Sequence, residues 1–295
     1  MSLLKQTVFT GVATAMITPF CDGEIDYESL GRMIEFQISS GISALLFAGT
    51  TGEAPTLSTD EHYRLIKYAK QRIADRVPLL AGCGSNSTAH ALELAHAVCE
   101  GGADAVLAVT PYYNKSNDRG LLSHYRALAD GINRPLMLYN VPSRTGFTMT
   151  YAHYRELASH PNIVALKEAS GDLGLLETVC AECADRLDVY TGNDHQVLSA
   201  AKLGAVGVIS VYSNIYPHSM CELWRLCAAK DFRAANERRR AMSAQIQALF
   251  REVNPIPVKY VASLMRMCRA EYRLPLVSPS PELVKELQVL FETPK

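Results

Sequence analysis

Lys167 closes the run Ile163-Val164-Ala165-Leu166-Lys167-Glu168-Ala169-Ser170-Gly171, where aliphatic residues end on one lysine before a turn of small residues. An amine leaving an apolar strand is drawn partly out of water, which disfavours the ammonium form and suits it to attack a carbonyl carbon. An unperturbed lysine lies roughly 3.4 pKa units above pH 7, so about 4.6 kcal/mol is needed to make it half neutral. Only a buried, shaped pocket supplies that. A strand-end lysine snorkelling to water fits the same string equally well, so the rest of the chain must decide.

Three other segments carry chemistry. Gly49-Thr50-Thr51-Gly52-Glu53 offers backbone N–H groups and two hydroxyls within one turn, a fit for a small carboxylate. It also fits an ordinary strand-to-helix turn, and it is not a nucleotide loop, because no Lys-Ser/Thr follows the glycines. Thr110-Pro111-Tyr112-Tyr113-Asn114 ends a second apolar run, and Tyr139-Asn140-Val141-Pro142-Ser143-Arg144-Thr145-Gly146 ends a third. A phenol at Tyr139 can donate and accept a proton, although a core tyrosine is the commoner case. Arg144 has the fork of donors that binds a carboxylate bidentately; its bland alternative is a surface salt bridge worth about 0–1 kcal/mol. Cys180-x-x-Cys183 has no second pair and no histidine nearby, and the eight histidines form no metal-ligand spacing. No catalytic metal is expected.

These segments need elements to position them. Apolar runs recur about every 30 residues, at 12–17, 44–47, 78–81, 105–109, 136–139, 164–166, 187–190 and 206–211. Amphipathic helical stretches fall between them at 27–39, 59–73, 89–100, 120–130, 175–184 and 195–202. Such alternation implies a parallel sheet covered by helices, and eight units fit a closed (β/α)8 TIM barrel better than a doubly wound sheet. The rival sheet would want a dinucleotide fingerprint, and Gly82-Cys83-Gly84-Ser85-Asn86-Ser87 lacks its final glycine. In a barrel the chemistry gathers at the C-terminal ends of the strands, where all four segments fall. Beyond residue 211 the pattern turns helical at 216–229, 232–251, 256–269 and 281–291. The expected organisation is a catalytic barrel over 1–214 with a C-terminal helical extension over 215–295 packed on it.

Forty-eight per cent hydrophobic and 20 per cent charged residues fit a globular enzyme, and a net charge of −1 gives no electrostatic case for nucleic acid or an anionic membrane. Arg238-Arg239-Arg240 reads as a solvated helix face. Eight cysteines without framework spacing read as reduced thiols of a cytoplasmic protein. Residues 1–20 superficially resemble a signal sequence, but threonines and Gly11 interrupt the apolar core and a first strand explains it better. No run reaches 18 apolar residues, so no membrane span is expected.

Segments 49–53 and 139–146 and Lys167-Glu168-Ala169, in this order and spacing, resemble the signature segments of the dihydrodipicolinate synthase and N-acetylneuraminate lyase superfamily of Schiff-base aldolases. The similarity runs over essentially the whole chain. Tyr113 with Arg144 resembles the synthases in particular. The resemblance implies a covalent imine between Lys167 and pyruvate, with no separate cofactor, whose enamine attacks the aldehyde of L-aspartate 4-semialdehyde. It implies a proton relay of Tyr139, Thr50 and Tyr113, the last from a neighbouring subunit of a homotetramer built as a dimer of dimers. Thr51 would hold the pyruvate carboxylate and Arg144 that of the second substrate, with the backbone of Gly192 and Ile209 lining the wall. A pyruvate-dependent aldolase for a 2-keto-3-deoxy sugar acid or 4-hydroxy-2-oxoglutarate shares Lys167 and Tyr139, leaving Arg144 to discriminate. A silent metabolite-binding barrel is opposed by the competent residue at every position. At the lysine-feedback site of the family, Asn86, Tyr112 and His62 match, whereas His90 stands in place of a glutamate and Thr59 in place of a histidine. An allosteric remnant insensitive to lysine is expected.

Overall fold

The computed structural model describes residues 7–291, and its eight parallel strands close on themselves. They are β1 Gly11–Ala15, β2 Ala44–Phe47, β3 Leu79–Gly82, β4 Ala105–Val109, β5 Leu136–Asn140, β6 Ile163–Glu168, β7 Asp188–Thr191 and β8 Gly207–Ser210. Each pairs with its sequence neighbours, and β1 closes the ring by pairing with both β2 and β8, as at Ala15↔Leu46 and Thr14↔Ser210. Nearly every strand residue is buried, because one face meets the barrel interior and the other the helices. That explains the unbroken apolar runs.

Seven ring helices follow the first seven strands, besides the one-turn helix Pro142–Thr145 that carries Arg144: α1 Tyr27–Ser39, α2 Thr59–Ile73, α3 Thr88–Glu100, α4 Asp118–Gly131, α5 Tyr151–Leu157, α6 Leu173–Glu182 and α7 Val197–Lys202. Their starts are written locally. Asp26, Asn117 and Asp172 each accept the N–H of a first-turn residue, and Ser58 with Glu61 forms a capping box at α2. Helix α8, Pro217–Ala228, packs on α7 and β1 and so fills the eighth position of the ring. Three more follow: α9 Phe232–Ala248, α10 Ile256–Leu264 and α11 Pro281–Leu290, with α11 against both α9 and α10.

The structure differs from the sequence pattern in several places, among them helix α9, which ends at Ala248 rather than 251. Helix α5 has only seven residues, too few to display two helical periods. A short hairpin, Phe20–Cys21 with Glu24–Ile25, follows β1; its Asp22-Gly23 turn has both residues at positive φ, 56° and 85°. Helix α10 stops at Leu264 rather than 269, where Arg266 adopts the left-handed conformation at φ 57°.

Inside the barrel a separate apolar cluster, including Phe9, Ala13, Leu80, Met137 and Ile209, fills the lumen. Phe9 stacks on Tyr190 with ring centroids 4.3 Å apart, and the Tyr190 hydroxyl donates to the Phe9 carbonyl at 2.6 Å. This pair seals the floor, so access is from the opposite end. No helix among the described residues is long and apolar enough to cross a membrane.

Candidate active site

Lys167 lies on β6 with 6% of its surface exposed, beside Tyr139 of β5 and Tyr190 of β7 in the strand register. Its Nζ sits 4.4 Å from the centroid of the Tyr139 ring. Gly192, just past β7, makes room for it: a Cβ there would stand 2.9 Å from Lys167 Cε and 2.8 Å from Ala169 Cβ. The next residue, Glu168, points to the other face of the strand by the two-residue alternation of a pleated backbone. Its buried carboxylate accepts from Tyr154 Oη at 2.8 Å, Asn140 Nδ2 at 3.0 Å and Ser170 N–H at 2.7 Å, which fixes the end of β6. Burial, together with this carboxylate, pushes the Tyr154 phenol well above its ordinary pKa, keeping it a donor.

A cavity of about 490 Å³ opens over Lys167, lined by Thr50, Thr51, Tyr139, Arg144, Gly192 and Asn254 among others. Thr50 and Thr51 reach it on the turn after β2. That turn starts at Ala48, at φ 50°, whose carbonyl passes so near β3 that a Cβ on Gly82 would lie 2.1 Å from it. The turn ends at Glu53, also left-handed at φ 56°. The Glu53 side chain is fully buried: Lys259 Nζ of α10 lies 2.5 Å from Oε1, and Oε2 accepts the Arg273 N–H at 3.2 Å. Burial pulls the Lys259 ammonium below its ordinary pKa against the opposing attraction of Glu53, and the Phe20 ring face lies 4.1 Å from its nitrogen.

Asn254 joins two of the expected substrate-binding groups. Its Nδ2 donates to Thr51 Oγ1 at 3.0 Å, its backbone carbonyl accepts from Arg144 Nη2 at 3.0 Å, and its Oδ1 is buried without a partner. A further buried carboxylate, Asp194, follows β7. Its Oδ2 accepts the N–H groups of Val211 and Tyr212, both at 3.0 Å, tying the end of β7 to the loop after β8. Burial raises its pKa against the pull of these bonds and of the nearby Lys167 charge.

The remaining expected residues divide. Tyr139 and Thr50 line the cavity with no direct hydrogen bond between them among the described residues. Tyr113 is 90% exposed at φ 67°, away from the cavity lining, and Ile209 is packed in the lumen cluster rather than at the wall. Tyr112, His62 and His90 are among the residues lining the cavity, whereas Asn86 and Thr59 are not. Thr59 Oγ1 donates to Glu93 Oε1 at 2.9 Å, and His90 Nδ1 lies 3.3 Å from Glu93 Oε2. His62 Nδ1 donates to the Ser58 carbonyl at 3.0 Å, and burial lowers its pKa. The sequence reading lacks Asn254, Lys259, Arg273 and Asp194 altogether. The only local signal for the first two is the proline-punctuated Asn254-Pro255-Ile256-Pro257-Val258-Lys259 between two helices.

The arrangement is an amine and a phenol at the mouth of a barrel, in a cavity that hydroxyl and guanidinium donors also line. Residues 8–293 match the model of the dihydrodipicolinate synthetase family. The 4-hydroxy-tetrahydrodipicolinate synthase of Geobacter metallireducens is 46% identical over 269 residues, 91% of this chain and 93% of that one. The crystal structure of dihydrodipicolinate synthase from Aquifex aeolicus superposes with a TM-score of 0.94 at 41% identity, covering 96% of this chain and 97% of that one. The chloride-inhibited dihydrodipicolinate synthase of Acinetobacter baumannii, complexed with pyruvate, gives 0.93 at 39% identity, covering 96% and 97%. With its barrel, its strand-end lysine and a match over nearly its full length, the chain belongs to the dihydrodipicolinate synthetase family.

Proposed function

We propose that Lys167 carries the chemistry of this chain, a lyase with 4-hydroxy-tetrahydrodipicolinate synthase activity in diaminopimelate and lysine biosynthesis. The substrates are pyruvate and L-aspartate 4-semialdehyde. The Lys167 amine adds to the pyruvate ketone and water leaves, forming an imine. The imine draws electrons from the methyl carbon, which loses a proton and becomes an enamine. That carbon bonds to the aldehyde carbon, whose oxygen takes up a proton. The amino group of the second substrate then displaces Lys167 from the imine carbon and closes the ring. Over the cycle one water is released and the free lysine returns.

Tyr139 lies beside this amine, with its ring centroid 4.4 Å from Nζ, and Thr50 shares its cavity. Thr51 holds the pyruvate carboxylate and Arg144 that of the semialdehyde. The relay is completed by Tyr113 of a neighbouring subunit in a tetramer, a reading supported by an aromatic ring standing 90% exposed on a left-handed backbone. Among the described residues those up to 214 supply the catalytic barrel's strands and first seven ring helices, and those from 215 supply α8, which completes the ring, and the helices α9 to α11 that buttress it; cysteines outside any disulfide suit the cytoplasm.

The observation that carries the reading is the buried Lys167 amine against the Tyr139 ring at the end of adjacent strands. Borohydride with pyruvate is expected to add a reduced pyruvyl group to the Lys167 peptide by mass spectrometry, and Lys167→Ala to abolish it. Undiminished trapping in that variant overturns the assignment. Turnover with aspartate semialdehyde should exceed that with sugar-derived aldehydes; the opposite order overturns the substrate.

A further inference from the structure

We infer that Asn254 is a positioning residue that sets the polarity of the Thr51 hydroxyl, and thereby selects the keto-acid carboxylate independently of Arg144. The inference rests on the proposed role of Thr51 and deepens it. A hydroxyl has one proton to donate and lone pairs to accept with. Asn254 Nδ2 already donates to Thr51 Oγ1 at 3.0 Å, so the Thr51 proton is directed elsewhere. Both residues are buried, at 4% and 6% exposure, and both line the cavity over Lys167. Among the described residues Thr51 Oγ1 has no acceptor for that proton, and the cavity that Thr51 lines has room for one such as a carboxylate oxygen. A hydroxyl fixed as a donor before substrate arrives avoids reorientation on binding.

The same residue serves Arg144 by a different atom. The guanidinium is held by the Asn254 backbone carbonyl, which no side-chain substitution removes. Side-chain changes at Asn254 therefore separate the two carboxylate sites. Thr51 lies 203 positions before Asn254 in the chain, so this amide is where the extension meets a cavity-lining hydroxyl of the binding turn, beside the Lys259 and Arg273 contacts to Glu53 that anchor the same turn.

The test is steady-state kinetics on the full-length protein, varying pyruvate and aspartate semialdehyde separately. Asn254→Asp keeps the shape but places a carboxylate oxygen where the donor was, so Thr51 turns its proton toward it and away from the cavity. Pyruvate KM should rise at least tenfold, with kcat within threefold and semialdehyde KM within twofold. Asn254→Leu leaves Thr51 unopposed but undirected, and pyruvate KM should rise about threefold. Added to Thr51→Val, Asn254→Leu should change pyruvate KM by less than twofold, because it acts through a hydroxyl already gone.

An Asn254→Asp protein with pyruvate KM within twofold of the parent overturns the inference, since it means the amide oxygen faces Thr51. So does a parallel rise in both KM values, the mark of a general loosening of the site. Thr51→Val with unchanged pyruvate KM removes the proposed role of Thr51 itself, whereas a raised KM there with a silent Asn254→Asp removes only the role of Asn254. Circular dichroism and melting identify a variant that fails to fold; Asn254→Asp and Asn254→Leu give independent chances of a folded one.

Discussion

Glu53 and Lys259 form a fully buried ion pair 206 positions apart in the chain, and it anchors the turn that carries Thr50 and Thr51. Removing one member leaves an uncompensated charge where no water reaches, typically a loss of 3–5 kcal/mol. Lys259→Met should therefore lower the urea-unfolding free energy by about 3–5 kcal/mol. Adding Glu53→Gln should restore much of it, because the orphaned charge is gone. A single variant within about 1 kcal/mol of the parent would mean that Arg273 and the turn backbone already neutralise Glu53.

Arg144 binds the second substrate in our reading, and its guanidinium is already tied to the Asn254 carbonyl. Arg144→Ala should retain pyruvate trapping on Lys167 yet lose at least roughly tenfold in kcat/KM for aspartate semialdehyde, since a hydrogen bond to a charged group is worth about 1.5–3 kcal/mol. An unchanged kcat/KM would make that contact purely structural.

Lysine should be a poor inhibitor. The proposed remnant has His90 where a carboxylate would meet the ligand's ammonium, and the nearby carboxylate of Glu93 is already shared between Thr59 and His90. At neutral pH, millimolar L-lysine should leave activity nearly untouched. Half-inhibition below about 1 mM, equivalent to binding tighter than about −4.1 kcal/mol, would sink this expectation.

Acid should destabilise the fold in two separable windows. His124 is buried with Nε2 unpartnered, and burial pulls its pKa down from 6.5 to about 4. The unfolded chain takes up that proton first, so stability is complete above pH 6.5 and falls as pH drops toward 4, by about 3 kcal/mol at most. His124→Gln should flatten unfolding free energy across this window. Glu61, held down to about 2 by Arg273 from 4.5, loses its contribution only as pH falls from 4.5 toward 2. An unaltered slope between pH 6.5 and 4 in His124→Gln would locate the first window in other groups.

Much of the fold was legible because barrel strands, buried on both faces, are written as short apolar runs, and Lys167 and Tyr139 stand out as polar residues ending two of them. The turn at 49–53 and Arg144 were visible for the same reason. Asn254, Lys259 and Arg273 were not, because their partners lie more than 200 positions away and no local period records such a pairing. The small hairpin was announced by Asp22-Gly23 but has only two residues per strand, below the length at which alternation is recognisable. Tyr113 was visible as an aromatic beside a strand end and, through the family resemblance, as a group meant for a neighbouring subunit; its left-handed backbone was not, since residue type alone does not announce it.

Strand β6 places an amine and a carboxylate on successive residues, Lys167 toward the cavity and Glu168 toward the helices. A slip of one residue against β5 would exchange them, presenting an acid that cannot form an imine and driving a lysine against Tyr154 and Asn140. Both errors arise from the same slip, so a misregistered molecule is at once chemically inert and unstable. The strand's own pleat thus acts as a proofreading step: molecules that persist are those with the nucleophile already facing the substrate.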